Sequence, residues 1–262
     1  MFDFFIDTAD IDYIRNLTPA IEDYRKNVKG ITTNPNAMDK IRQRTLAEWQ
    51  CTLPDLCKLV SEIRGDDQGE VHVQAPNSEM TGQEVLAFAQ HIHKFNDGQT
   101  KLALKIAPKA DVLEVVGEIQ KLMPVNVTGL ADCGTALSCM TYGVDYVSII
   151  PGRMEEVGIV ADDHLKFLLK RNSDTKVITG SMRTIDGLAR AVKYDTIPTI
   201  GTRVWDKIAN KSLDIGTLSE QDPLFSPHID SRNTDLSVSF FHQMDALGMK
   251  AYEEFVKEVN SD

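Results

Sequence analysis

The chain has 262 residues, 42% of them hydrophobic, and carries 28 basic against 39 acidic side chains for a formal charge of −11. That length suits one large unit with a substantial core, and the acidic balance argues against a surface built for nucleic acid or an anionic membrane. Any anionic ligand therefore needs a local positive pocket. No apolar run reaches the ~18 residues of a membrane span, and the start Met1-Phe2-Asp3-Phe4-Phe5 lacks the basic and apolar blocks of a secretory leader. The expected setting is the cytoplasm.

Short apolar, β-rich runs alternate with amphipathic stretches along the chain. The runs are Phe2–Asp7, Val28–Thr33, Val71–Ala75, Leu102–Ala107, Val125–Leu130, Tyr146–Pro151, Lys176–Ser181 and Ile197–Gly201. Between them Thr81–Phe95 and Asp111–Leu122 show helical periodicity, the first with Val85, Leu86, Phe88, Ala89 and Ile92 on one side. Eight β-then-α units predict a closed (β/α)8 TIM barrel with its sites at the C-terminal ends of the strands. An open doubly wound sheet is the alternative, but no strand is followed by a dinucleotide fingerprint or a P-loop. We expect a single domain over 1–262: a barrel over 1–210, a polar insertion over 212–235 with Pro223 and Pro227, and an additional C-terminal amphipathic helix over 236–259. The cysteines form two C-x5-C pairs, Cys51/Cys57 and Cys133/Cys139, a spacing that matches neither a zinc site nor a redox motif, so buried free thiols are expected.

One residue interrupts the fourth run. Lys105 stands in Leu102-Ala103-Leu104-Lys105-Ile106-Ala107-Pro108, where a strand buried on both faces is expected. Burial disfavours the ammonium, and a neutral amine near pH 7 can attack a carbonyl to form a Schiff base. The plainer reading is a lysine at a strand end whose stem packs while its head reaches solvent.

Nearly every other run also ends in a polar group. Asp7 ends the first, Thr33 and Asn34 the second, Gln74 the third, Asn126 and Thr128 the fifth, Ser148 the sixth and Ser181 the seventh, with Arg153 and Arg183 just beyond. Each has a dull explanation: Asp7 and Ser181 as helix caps, Asn34 as a turn residue, Gln74 and Thr128 as satisfied core polar groups, the arginines as surface charge. Their coincidence at one end of successive strands is not required by packing.

Taken in order, Asp7-Thr8-Ala9, Gly30-Ile31-Thr32-Thr33-Asn34-Pro35, the strand-four lysine, Asn126-Val127-Thr128, Gly152-Arg153 and Ser181-Met182-Arg183 resemble the transaldolase and fructose-6-phosphate aldolase family. The resemblance implies a class I enzyme that needs no metal or cofactor, acts on a sugar phosphate or a similar anionic (for instance sulfonated) ketose, and commonly forms homo-oligomers. It makes Lys105 the imine-forming nucleophile, Asp7 the general acid/base, and Gln74 with Thr128 the holders of a proton-shuttling water. It implies that Thr33, Asn34, Asn126 and Ser148 contact the carbon chain, that Ile150 lines the pocket, and that Arg153, Ser181 and Arg183 clamp the anionic head. Three features depart from the pattern. Gln74 is the choice of the aldolases rather than of transaldolases proper, Ile150 replaces an aromatic residue, and the 212–235 insertion has no recognised counterpart. Transfer of a dihydroxyacetone unit is the expected reaction, with fructose-6-phosphate aldolase-type cleavage and a non-catalytic sugar-phosphate-binding barrel as alternatives.

Overall fold

The computed structural model describes residues 2–259 apart from 18–20, 66, 97, 99, 157, 172, 183 and 211–235, and over 236–240 it describes the helix backbone alone. Eight parallel strands close into a barrel in chain order: β1 (Phe4–Asp7), β2 (Val28–Thr32), β3 (Gly69–Gln74), β4 (Thr100–Ile106), β5 (Val125–Leu130), β6 (Tyr146–Ile149), β7 (Lys176–Met182) and β8 (Ile197–Gly201). Closure is made by β8 on β1, with Phe5 opposite Thr199 and Asp7 opposite Gly201.

The side-chain period of two sorts each strand into two cores. Phe4, Ile6, Val71, Val73, Leu102, Leu104, Val125 and Val127 join the apolar faces of the surrounding helices in one large buried cluster. Phe5, Tyr146 and Ile178, with Ile197 against them, form a second cluster that fills the barrel. Gly30 is required by strand approach: its φ is +155°, and a Cβ there would lie 1.7 Å from the carbonyl oxygen of Glu70 on β3.

β5 and β8 coincide with the expected runs, whereas β3 and β4 begin two residues earlier, at Gly69 and Thr100. Hydropathy misses these starts because polar side chains can be held inside when they are bonded. Glu70 accepts from Tyr146, and the Thr100 hydroxyl donates to the Cys57 carbonyl at 2.9 Å. β6 stops at Ile149 because Pro151 opens the helix Pro151–Glu156. The expected helix over Thr81–Phe95 is Gly82–His93, started by a Thr81/Glu84 capping box. The one expected over Asp111–Leu122 is two short helices, Ala110–Glu114 and Val116–Gln120. Its apolar face is buried as the periodicity indicates, but β-branched Val115 and Val116 followed by Gly117 weaken the helix at its middle.

The helix Leu236–Val259 packs on its own barrel. Phe241, Met244, Ala251 and Phe255 are buried, and the Phe255 ring meets Phe88 edge-on at 5.4 Å. Gly248 allows the close approach to the segment after β3, since a Cβ there would lie 1.9 Å from the Pro76 carbonyl oxygen. Asp245 accepts from the Ser78 amide at 2.7 Å and its hydroxyl at 2.6 Å. Among the described residues no helix is long and apolar enough to cross a membrane. All four cysteines are free, but Cys51 is exposed and Cys133 half-buried, which corrects the expectation of uniform burial. Each of the two pairs places one thiol on the buried face of its helix and the other beyond it. The expected 212–235 insertion lies outside the described residues.

Candidate active site

β4 turns Lys105 into the barrel near its C-terminal end, opposite Gln74 of β3 and Asn126 of β5. Lys105 is 7% exposed, and its Nζ donates to the Thr33 carbonyl oxygen at 2.8 Å. That acceptor is neutral, so it does not compensate a buried charge as a carboxylate would. Burial brings the amine pKa down from 10.5 to about 8, and the negative charge of Asp7 opposes part of the fall.

Asp7 ends β1 and accepts from the Thr32 hydroxyl at 2.9 Å. It caps no helix; Asp10 caps Ile11–Asn16. Asn34 has extended backbone geometry ahead of Pro35, and its Oδ1 caps the helix Pro35–Lys40 by accepting from the Ala37 amide at 2.8 Å. Asn34 is therefore a capping residue and a rim residue at once, with its amide nitrogen left for other contacts. Thr33 contributes its carbonyl to Lys105, while its hydroxyl turns to the His72 carbonyl at 3.2 Å. Asp7 and Asn34 open on a polar mouth cavity of about 300 Å³ whose walls also include Lys40, Arg153, Ser181 and Arg203.

Deeper in the barrel Gln74, Asn126, Thr128 and Ser148 are all buried. The Ser148 hydroxyl donates to Asn126 Oδ1 at 2.7 Å, and Asn126 Nδ2 lies 3.1 Å from His72 Nδ1. Gln74 Oε1 is buried without a hydrogen-bond partner among the described residues, an arrangement that suits an acceptor facing a ligand or water.

Arg153 and Ser181 wall the mouth cavity on one side and a second cavity of about 310 Å³ on the other, which Ile150 also lines. Arg153 pairs with Glu156 at 3.2 Å, and Ser181 holds a left-handed φ of 60° with its amide donating to Thr199 Oγ1 at 2.8 Å. The left-handed residue sits within β7 where its register against β8 shifts between Thr179 and Met182, and Thr184 rather than Ser181 caps the next helix. Arg183 lies outside the described residues.

Several neighbours were not singled out from sequence. Thr32, which holds Asp7, sits beside the recognised Thr33, and the strand alternation identifies it once β1 and β2 are paired. Gln243 and Met244 reach the mouth from the final helix, and Lys40 and Arg203 from helices after β2 and β8. No local pattern indicates where the final helix docks. Among the described residues no group of three or more His, Cys, Asp or Glu side chains could hold a metal ion.

The family model described as Transaldolase/Fructose-6-phosphate aldolase matches residues 4–261. "Probable transaldolase 2" of Bacillus anthracis is 26% identical over 216 residues, covering 79% of this chain and 89% of that protein. "Probable transaldolase" of Streptococcus equi subsp. equi is 29% identical over 156 residues, covering 59% and 63%. The solved thiamine phosphate pyrophosphorylase from Pyrococcus furiosus superposes with a TM-score of 0.52 at 13% identity over 81% of this chain and 97% of its own, a likeness of fold alone.

Proposed function

The chain belongs to the transaldolase/fructose-6-phosphate aldolase family, and from that premise we propose that it transfers a dihydroxyacetone unit from an anionic ketose to an aldose phosphate through a Schiff base on Lys105. The observation that carries this reading is Lys105 itself, a buried amine brought to a pKa of about 8 at the mouth end of the barrel. Its Nζ attacks the ketose carbonyl, and the carbinolamine loses water to give an imine. Gln74 and Thr128 hold the water that carries those protons. Asp7 takes the C4 hydroxyl proton as the C3–C4 bond breaks, the aldose leaves, and the bonding electrons stay on the three-carbon unit as an enamine. The enamine carbon then attacks the aldehyde of the acceptor, Asp7 returns the proton to the new hydroxyl, and water releases the product ketose from Lys105.

Asn34, Asn126 and Ser148 contact the carbon chain, and Arg153, Ser181 and Arg183 take the phosphate or sulfonate head. We expect Arg153→Ala to raise KM for phosphorylated ketoses by about 10–150-fold, the equivalent of the 1.5–3 kcal/mol of one charged hydrogen bond, while dihydroxyacetone itself reacts nearly as before. Equal losses on charged and neutral donors in steady-state kinetics would make Arg153 a structural residue.

Transfer rather than release follows from Ile150. It is 7% exposed and lines the wall it shares with Arg153 and Ser181. Isoleucine cannot deliver a proton to the enamine, so the intermediate persists until an aldehyde arrives. Gln74, the aldolase-like choice, favours the second reading of simple reversible cleavage. The deciding experiment supplies fructose 6-phosphate with and without erythrose 4-phosphate. Wild type should turn over appreciably only with the acceptor, and Ile150→Tyr should gain acceptor-independent release of dihydroxyacetone. Fast release by wild type without acceptor would move the assignment to the aldolase.

A further inference from the structure

Beneath the proposed site, β3 places Glu70, His72 and Gln74 at alternate positions, and His72 is fully buried. Its ring lies 4.5 Å from Phe5 of β1 and 5.0 Å from Tyr146 of β6. Its Nε2 is 2.9 Å from Glu70 Oε2, and the Tyr146 hydroxyl donates to both Glu70 oxygens at 2.9 Å. A line of hydrogen bonds thus runs from Glu70 through His72 and Asn126 to Ser148, across β3, β5 and β6.

The direction of every donor in this line is fixed from its Glu70 end. Burial alone would raise the Glu70 pKa, but hydrogen bonds from His72 and Tyr146 hold it below the usual carboxylate range, so Glu70 is an anion that only accepts. His72 Nε2 must then carry a hydrogen. Burial also pushes the His72 pKa down; Glu70 and, more weakly, Asp145 oppose the fall, and Lys105 adds to it. The ring is neutral, and its Nδ1 is a bare acceptor. Facing an acceptor, Asn126 must present its amide nitrogen, which leaves Oδ1 toward Ser148 and makes the Ser148 hydroxyl the donor between them. Asn126 then has one N–H, and Ser148 only lone pairs, for any further partner. With the other tautomer, or an imidazolium, the amide would turn over and Ser148 would become a donor instead.

We infer that His72, held as its Nε2–H tautomer by Glu70, is a positioning residue that fixes the amide of Asn126 and makes Ser148 an acceptor for a hydroxyl of the bound ketose. The inference rests on the proposed role of Asn126 and Ser148 as substrate contacts. It names the group that Ser148 selects: a hydrogen-bond donor, such as the free hydroxymethyl end of a dihydroxyacetone unit, and not a carbonyl or carboxylate. The plain alternative is that His72 only fills the core.

A double-mutant cycle separates these readings, because a residue acting through Asn126 has nothing to act on once Asn126 is gone. In the wild-type background His72→Phe should lower kcat/KM for fructose 6-phosphate, with erythrose 4-phosphate present, by about 10–100-fold, the scale of a misplaced contact. In the Asn126→Ala background the same change should cost less than about threefold. Equal factors in both backgrounds would overturn the inference, whereas a neutral Asn126→Ala would remove Asn126 from the site and the inference with it. A measurement that needs no variant guards against loss of folding. Nitrogen-15 spectra of the histidine-labelled protein should show His72 as the neutral Nε2–H tautomer at pH 7, and an Nδ1–H tautomer or an imidazolium there would refute the proposal.

Discussion

Lys105→Arg and Lys105→Met are both expected to abolish turnover, and borohydride with fructose 6-phosphate should label Lys105 in wild type and no lysine in either variant. Arginine keeps a charge and a hydrogen-bonding head near the Thr33 carbonyl, but its guanidinium stays protonated and cannot form the imine. Methionine keeps the stem and removes nitrogen altogether. Activity surviving in either variant, or peptide mass analysis that finds the adduct on another lysine, would exclude Lys105 as the nucleophile.

The methionine variant also carries a stability signature with a defined sign. In wild type the folded-state pKa of Lys105, about 8, lies below the value of 10.5 for an exposed lysine. Between these two values the unfolded chain binds a proton that the folded chain does not, so this group makes stability rise with pH across that window. Below about pH 8 the folded protein bears the full cost of protonating a buried amine, about 3 kcal/mol at most. Loss of the hydrogen bond to Thr33 offsets roughly 1 kcal/mol of the relief in the variant. Lys105→Met should therefore be more stable than wild type by about 1–3 kcal/mol at pH 7, and the difference should shrink as pH rises toward 10.5. Urea melts at pH 7 and pH 10 measure it. A difference that does not change with pH would show that Lys105 has the same pKa in the fold as in the unfolded chain, as a solvated lysine would.

The barrel was legible because its repeat is encoded eight times. Each strand carries its apolar period and a terminating Gly, Pro, Asn, Thr or Ser, so an error of two residues at Gly69 or Thr100 does not change the topology. The placement of polar side chains at the strand ends was legible for the same reason: Asp7, Gln74, Lys105 and Asn126 follow from strand order, and pairing brings the last three into one row. Contacts that depend on side chains crossing the barrel were not legible. Glu70 falls before the expected third run and His72 is an ordinary polar position inside it, and only closure places Tyr146 and Asn126 against them. The double role of Asn34, cap and rim, could not be divided from sequence, since both readings ask for the same amide. The final helix announces its amphipathicity but not its address. That address is set by the close approach of Gly248 to Pro76 and by the Asp245 contact with Ser78, which join residues far apart in the chain.

Asp7→Asn is expected to lower kcat by about 10²–10⁴, the range for a lost general acid/base, while KM for the donor changes by less than about threefold. The geometry can survive the substitution, because the Thr32 hydroxyl that donates to Asp7 Oδ1 at 2.9 Å can donate equally to an amide oxygen. What the proposed reaction loses is the group that takes the C4 hydroxyl proton as the C3–C4 bond breaks. Imine formation should persist, and its pH dependence gives the assignment a second handle. The charge on Asp7 holds the Lys105 pKa up against the effect of burial. Without that charge the amine becomes neutral at lower pH, so the pH midpoint for borohydride trapping with fructose 6-phosphate should move down from the wild-type value near 8. Trapping that proceeds at lower pH while cleavage is slowed by orders of magnitude would separate the two proton transfers, one at Lys105 and one at Asp7. A loss confined to KM, or a trapping profile that does not move, would instead make Asp7 a binding carboxylate too remote from Lys105 to tune it.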